Sequence, residues 1–144
     1  MPPKKNKEII RKVEEAWDQS RLDDLDKYFD PNFRSDAGIP GMEPTLATAK
    51  MAHQASMVSF PDRKVQIMDM LAEGDKVAVR LRVTGSNLGG VAWFGAPPNG
   101  NKIDIEAISI YTLKDGKIVG HQAVNDGAQL LAQIGAWTPP QMSG

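Results

Sequence analysis

The sequence has no cysteine among its 144 residues. Disulfide bonds, thiolate nucleophiles and cysteine-based zinc sites are therefore excluded. It also lacks a run of about 18 apolar residues, so no transmembrane helix is expected. The residues after the first seven turn amphipathic and charged, without the apolar stretch of a secretory signal. We therefore expect a cytoplasmic protein.

A dominant charge is missing as well. The 17 Lys and Arg residues nearly balance the 18 Asp and Glu residues, and the formal net charge is −1. This balance gives no electrostatic footprint for phosphate backbones or anionic lipid, so we expect neither a nucleic-acid nor a membrane partner. The one basic cluster, Lys4, Lys5 and Lys7, is typical of a solvated helix start, with an interaction arm as the alternative.

Apolar residues are plentiful. They make up 41% of the chain, beside 24% charged residues, which suffices for a core and argues against disorder. The length suits one domain, so residues 1–144 are predicted to form a single domain. Only two histidines are present, and they lack metal-ligand spacing, so no metal site is expected.

Apolar residues at helical spacing predict three helices in the first half of the chain. Their start signals are an Asn cap, an acidic capping box and a proline suited to a first turn. These signals stand at Asn6, at Ser20 with Asp23, and at Pro44. Asp30-Pro31-Asn32 is expected to end the second helix, before a short strand at 33–36 and a loop at 38–41. Phe60-Pro61-Asp62 is expected to end the third.

The second half changes to the period of two that is typical of strands. Four strands are expected: one opening at Val65 with a bulge at 68–70, then 76–84, 103–111 and 117–125. Lys114-Asp115-Gly116 predicts a hairpin turn, and a Gly- and Pro-rich connection covers 85–100. Asp126 begins a closing helix that Gly135 ends. This order predicts an α+β fold in which helices cover one side of a curved antiparallel sheet and leave an apolar concavity.

Several segments are specific enough to compare with known families. They are Leu25–Phe33, Phe60-Pro61-Asp62, Gly95–Gly100, and Asp115–His121 followed by Leu130–Gly135. Together they span nearly the whole chain and resemble the SnoaL-like polyketide cyclases. The resemblance implies the cone-shaped α+β barrel shared with ketosteroid isomerase and nuclear transport factor two. The three N-terminal helices would pack on the concave side of the sheet, with a short C-terminal helix.

The resemblance also implies chemistry and partners. Well-known members close polyketide rings by intramolecular aldol condensation without a metal or organic cofactor. Relatives on this fold include isomerases, dehydratases, epoxide hydrolases, hydroxylases and binding proteins, so the fold alone does not choose the activity. Proteins of this fold often dimerise through the open sheet face, so a homodimer is expected.

His121 stands where the family usually has a catalytic His, and its ordinary pKa of about 6.5 suits proton transfer near neutral pH. Other family positions differ: Ala123 replaces a carboxylate, Ser109 an acidic residue or His, and Asn87 a His. We therefore expect His121 to be the acid/base, with Asn87 and Ser109 orienting the substrate or the developing oxyanion. The alternative for His121 is a half-buried imidazole with local hydrogen bonds.

Glu106 and Asp126 are secondary candidates for a missing acid. Asp104 and Glu106 are expected to be solvated unless a bulge turns Glu106 inward, and Asp126 has the spacing of a helix cap. Arg80 and Arg82 share a strand face that is expected to be exposed. The alternative is that they anchor an anionic or carbonyl substrate.

The residues expected to line the pocket are mostly apolar or aromatic. They are Trp17, Tyr28, Phe33, His53, Met57, Trp93, Ala107 and Ala123. For His53, a packed helical imidazole is the alternative to a functional one. Trp93 and Phe94 lie in a Gly-rich loop, where aromatic side chains suit a pocket lid or a dimer interface.

The leading hypothesis is a cofactor-independent enzyme that acts by proton transfer on a hydrophobic, carbonyl-bearing, polyketide- or terpenoid-like molecule. The alternative is a non-catalytic ligand carrier or assembly module, which the neutral residues at 87, 109 and 123 favour. In a third interpretation the cavity is incidental and the sheet face pairs two chains.

Overall fold

A computed structural model describes residues 2–36 and 41–141. The helices are α1 (Pro3–Asp18), α2 (Leu46–Ser59) and α3 (Gly127–Gln133), with 3₁₀ helices at Leu22–Lys27 and Ala92–Phe94. The strands are β1 (Phe29–Ser35), β2 (Lys64–Glu73), β3 (Lys76–Ser86), β4 (Lys102–Lys114) and β5 (Lys117–Asn125). The predicted α+β class is confirmed. The loop expected at 38–41 lies outside the described residues except for Gly41.

Helix α1 begins earlier than the sequence predicts. Pro2 precedes it and Pro3 occupies its first turn, where a missing N–H removes no hydrogen bond. Asn6 therefore lies inside the helix with its side chain buried, and the prediction that it caps the helix is wrong. Ile10 and Val13, three residues apart, are fully buried on the face that packs against the sheet.

The segment after α1 departs most from the sequence prediction. Ser20 has a positive φ of 55°, and the 3₁₀ helix that follows has no side-chain cap, so Ser20 and Asp23 form no capping box. The segment Asp30-Pro31-Asn32 was expected to end a helix, but it lies within β1. The pairing of β1 with β5 shifts register between Phe29 and Arg34. This irregularity accommodates a proline, which cannot donate to a strand ladder.

The five strands form one curved sheet in the order β1-β5-β4-β3-β2. Strands β2 to β5 pair antiparallel in succession, whereas β1 joins β5 in parallel. The sheet is unclosed, with β1 and β2 at its edges. One expectation is thereby corrected, because the sheet is not antiparallel throughout. The word barrel describes this unclosed sheet only loosely.

The second half agrees closely with its predicted pattern. Strand β5 has its predicted bounds, and β2 shifts register between Ile67 and Asp69, where a bulge was expected. Asp115 and Gly116 both have positive φ in the β4–β5 hairpin, which is typical of a two-residue turn that matches strand twist. The Asp126 side chain accepts a hydrogen bond from the Gln129 N–H at 3.2 Å and caps α3.

Strand β4 shows how the sheet separates a core face from an outer face. Its alternate residues from Ile103 to Tyr111 are buried, while Asp104, Glu106 and Ile108 are exposed. The main core joins α1 to this inner face, and a smaller cluster lies beneath the β3–β4 connection and α3. Across 2–36 and 41–141, no helix has both the length and the apolar character that crossing a membrane requires.

Candidate active site

The inner face of the sheet and helices α1 and α2 enclose a cavity of about 300 Å³. Its floor is apolar and includes Leu81, Val83 and Ala107. Polar side chains reach the cavity mainly in two groups, one around His121 on β5 and one around Arg63 at the start of β2. An apolar cavity with a few placed polar groups is the usual form of a small-molecule site.

His121 lies on the cavity wall between two serine hydroxyls. Its Nδ1 is 3.2 Å from the Ser35 Oγ, and its Nε2 is 3.1 Å from the Ser109 Oγ. Strand β5 lies between β1 and β4, which is why the imidazole meets one hydroxyl from each neighbouring strand. A hydroxyl both donates and accepts, so either tautomer of the neutral imidazole is satisfied. The structure thus brings the predicted His121 and Ser109 together.

A buried tyrosine supports the imidazole. The Tyr111 ring stacks on the His121 ring with centroids 4.6 Å apart and planes inclined by 29°. Its hydroxyl donates to the Glu14 Oε1 at 2.5 Å, and both side chains are buried. Neither Tyr111 nor Glu14 is among the site residues predicted from the sequence.

Burial controls the protonation of this group. It lowers the pKa of His121 from 6.5 to about 4, so the imidazole is neutral near neutral pH. Burial raises the pKa of Glu14, opposed by the Tyr111 hydrogen bond and the Arg63 charge. Burial and the nearby Glu14 carboxylate keep the pKa of Tyr111 well above 10.

His53 also lines the cavity, from α2. Its Nε2 lies 3.0 Å from the Ser20 Oγ, and its ring centroid is 5.2 Å from that of Trp17. Burial, and then the Arg63 charge, lower the pKa of His53. The side chain is thus packed and held by a hydrogen bond while still presenting a surface to the cavity.

Asn87 lies away from this group, in the β3–β4 connection, and is fully buried. Its Nδ2 donates to the Pro97 carbonyl at 2.9 Å and to the Asn99 Oδ1 at 3.0 Å, and its Oδ1 accepts from the Gly90 N–H at 2.9 Å. These bonds hold the loop together. The structure therefore gives Asn87 a role in loop architecture in place of the expected substrate-orienting role.

The secondary candidates lie on other surfaces. Glu106 is on the outer face of the sheet, where its Oε1 accepts from the Arg80 Nη1 at 2.6 Å, and Arg82 pairs with Asp104. These arginines are therefore not anchors for a ligand in the cavity. Asp126 caps α3. Among 2–36 and 41–141, no three His, Cys, Asp or Glu side chains converge as metal ligands.

Five of the eight residues expected to line the pocket do so: Trp17, Phe33, His53, Ala107 and Ala123. Tyr28 and Met57 are half-buried elsewhere, and Trp93 is 62% exposed in the β3–β4 connection. Met57 does not line the cavity because of the way its helix is oriented. Helix α2 turns a different stripe to the cavity, formed by Thr48, Ala49, Ala52, His53 and Ser56.

The family model of the SnoaL-like polyketide cyclases matches residues 7–134. That span covers most of the sequence and includes the described cavity. The chain therefore belongs to the SnoaL-like polyketide cyclase family, as its sequence resemblance indicated. The comparison with curated proteins gives no match.

Solved structures share this fold. AclR from Streptomyces galilaeus, a proposed hydroxylase, is 23% identical with a TM-score of 0.84, over 96% of this chain and 89% of AclR. IdmH from Streptomyces antibioticus, a proposed polyketide cyclase, is 24% identical with a TM-score of 0.81, over 90% and 98%. A proposed polyketide cyclase from Bacillus cereus is 27% identical with a TM-score of 0.80, over 93% and 83%. The structures that share this fold thus include both proposed polyketide cyclases and a proposed hydroxylase.

Proposed function

We propose that this protein is a cofactor-independent enzyme that transfers a proton within a hydrophobic, carbonyl-bearing, polyketide- or terpenoid-like molecule. The observation that carries the proposal is the neutral His121 imidazole, which lies on an apolar cavity wall with a hydroxyl at each nitrogen. Neutral imidazole both accepts and donates a proton, which general acid–base chemistry requires.

The proposed reaction is a ring closure of the aldol type. His121 accepts the proton from a carbon beside a carbonyl, and the electron pair moves onto that carbonyl oxygen to form an enolate. The enolate carbon then attacks a second carbonyl of the same molecule, and a carbon–carbon bond forms. The imidazolium returns its proton to the new alkoxide, so atoms and electrons balance without an oxidant or reductant.

The surroundings of His121 suit the charges that this step creates. Burial disfavours a lone imidazolium, but the enolate formed in the same step lies beside it and attracts it strongly in an apolar cavity. The Tyr111 ring stacked on the imidazole adds attraction for the cationic form. Ser109 offers its hydroxyl to the enolate oxygen.

The test is turnover of an aromatic polyketide that carries a free 1,3-dicarbonyl side chain. Replacing His121 by Ala is expected to lower kcat by 100-fold or more, the usual contribution of a positioned acid/base. Gln122→Ala is the matched control, because Gln122 is the next residue of β5 and its side chain bonds Asp36 on the outer surface. A loss below tenfold in His121→Ala would remove the proposed role.

A second candidate function is ligand binding without catalysis. It is favoured by Ala123, which lines the cavity where the family resemblance implies a carboxylate. The two functions differ in one simple measurement. An acid/base enzyme exchanges the α proton of a bound dicarbonyl probe for deuterium in D₂O, detectable by NMR, whereas a carrier does not accelerate this exchange above the rate in buffer.

The proposed enzyme is a homodimer that pairs through the outer face of the sheet, and its expected location remains the cytoplasm. Ile108, Ile110 and Val124 are exposed on that face, and Ile108 lies opposite Val124 across β4 and β5. A contiguous exposed apolar patch is typical of an interaction surface. Light scattering should give twice the 15.7 kDa of one chain, and Ile108→Lys should halve that mass. If the unmodified protein gives the mass of one chain by light scattering, the proposed dimer is contradicted.

A further inference from the structure

An arginine on the cavity wall is positioned without a close counter-ion. Arg63 lies in the turn between α2 and β2, where its N–H donates to the Phe60 carbonyl at 2.9 Å and fixes the backbone. Its side chain is half-buried and lines the cavity beside Val65 and His53.

The guanidinium of Arg63 makes no close polar contact within the described part of the chain. No carboxylate oxygen there lies within 4 Å of it, and no side chain or carbonyl accepts a hydrogen bond from it. The arginines of the outer sheet face differ. Arg80 forms ion pairs with Asp69 at 2.7 Å and with Glu106 at 2.6 Å. Arg82 forms an ion pair with Asp104 at 2.5 Å.

Three titratable groups lie near Arg63 at longer range, and each already forms a hydrogen bond with another residue. Glu14 accepts the Tyr111 hydroxyl, Asp18 accepts the Val65 N–H at 2.7 Å, and the His53 ring bonds to a serine. Glu14 and Asp18 attract the guanidinium through space without taking up its N–H donors. Those donors therefore remain available to a molecule in the cavity.

A half-buried charge that faces an apolar cavity without a close partner is stabilised by an anion, so the site is best completed by one. The planar guanidinium presents paired N–H donors whose spacing matches the two oxygens of a carboxylate. The adjoining cavity floor is apolar and suits a hydrocarbon or aromatic skeleton. These features together point to an apolar ligand that carries a carboxylate.

We propose that Arg63 is a specificity-determining residue that pairs with a carboxylate on the ligand of this cavity. The inference rests on the proposed function for where the ligand binds. Arg63 adjoins β2 and His121 lies on β5, with β4 and β3 between these strands in the sheet. The ligand is therefore an elongated acid, with its carboxylate at Arg63 and its reacting carbonyl toward His121.

The test compares two probes of the same skeleton, 2-naphthoate and methyl 2-naphthoate, by calorimetry at pH 7. The natural chain is expected to bind the acid at least tenfold more tightly than the ester, as a hydrogen-bonded charge pair predicts. Arg63→Met should abolish this preference and leave the affinity for the ester within twofold. Arg82→Met is the matched control, because it removes the same charge from the opposite face of the sheet and should retain the preference.

The outcomes separate this inference from the proposed catalysis. His121→Gln should keep the preference for the acid, because Arg63 is intact. Equal affinity of the natural chain for the two probes would overturn the inference and leave the His121 proposal standing. Failure of both probes to bind would also overturn it, and the turnover assay would then decide the proposed function alone. If Arg63→Met does not fold, the natural chain's preference and its weakening in Arg63→Lys decide the question.

Discussion

Tyr111 donates its phenolic hydrogen to Glu14 across 2.5 Å, although the two residues lie 97 positions apart in the sequence. The bond joins the first helix to the fourth strand at the back of the His121 ring. A hydrogen bond between buried groups at this position both supports the packing of α1 and holds the aromatic ring against the imidazole.

Removing the phenolic oxygen should therefore lower stability. Tyr111→Phe keeps the ring but leaves the buried Glu14 carboxyl without its donor, and we expect the free energy of unfolding to fall by about 1–3 kcal/mol. Urea unfolding at pH 7 measures the change. Tyr28→Phe is the matched control, because Tyr28 is half-buried outside the cavity wall and should lose less than half as much.

His121 should make the stability of the fold depend on pH. Its pKa is lowered to about 4, so the unfolded chain binds more protons than the folded chain between pH 6.5 and about 4. The stabilisation is complete above pH 6.5 and is lost as the pH falls, by about 3 kcal/mol in total. Urea unfolding should show a flatter dependence over this interval in His121→Gln. An unchanged slope would contradict the burial of a neutral imidazole.

The pH profile of turnover should carry the same pKa. His121 accepts a proton only when it is neutral, so kcat/KM of the free enzyme should be constant from about pH 5 to 8 and should fall tenfold per unit below about 4. Circular dichroism at each pH separates this loss from acid unfolding. An inflection near 6.5 would show that the imidazole is solvated or that another group is the base.

Asn87 should matter for stability rather than for chemistry. Asn87→Ala removes a fully buried amide that makes three hydrogen bonds and leaves the Gly90 N–H and the Pro97 carbonyl without this partner, so we expect a loss of about 2–4 kcal/mol in urea unfolding. Binding of methyl 2-naphthoate, measured well below the unfolding temperature, should change less than twofold. A large loss of affinity with intact stability would return Asn87 to the ligand site.

The strands in the second half of the chain could be predicted from the sequence because apolar and polar residues alternate along each of them. The alternation of β4 placed Ala107, Ser109 and Tyr111 on one face, and that face lines the cavity. The cap at Asp126 also depends on contacts only three residues away. The family position of His121 then led to the one imidazole that the structure places between two hydroxyls.

The missed features depend on contacts between distant residues. Proline usually interrupts helices and strands, so the sequence around Pro31 does not predict a strand. In the structure, Pro31 lies in an edge strand whose register shift accommodates it. Nothing in the spacing around Glu14 indicates that a helix carboxyl meets Tyr111 of a strand 97 residues later. Arg63 and Lys64 are adjacent cations, and only the tertiary packing around the start of β2 leaves Arg63 half-buried and Lys64 exposed.

A ring with a hydroxyl at either nitrogen has no preferred direction for a moving proton. The imidazole of His121 can gain hydrogen at the Ser109 side and release hydrogen at the Ser35 side, or the reverse, without rotating about its side-chain bonds. The sense of transfer is then dictated by whichever molecule occupies the cavity. Like any catalyst, such an enzyme would accelerate the reverse step as well as the forward step, and the relative stability of the open-chain and cyclised molecules would decide where the reaction stops.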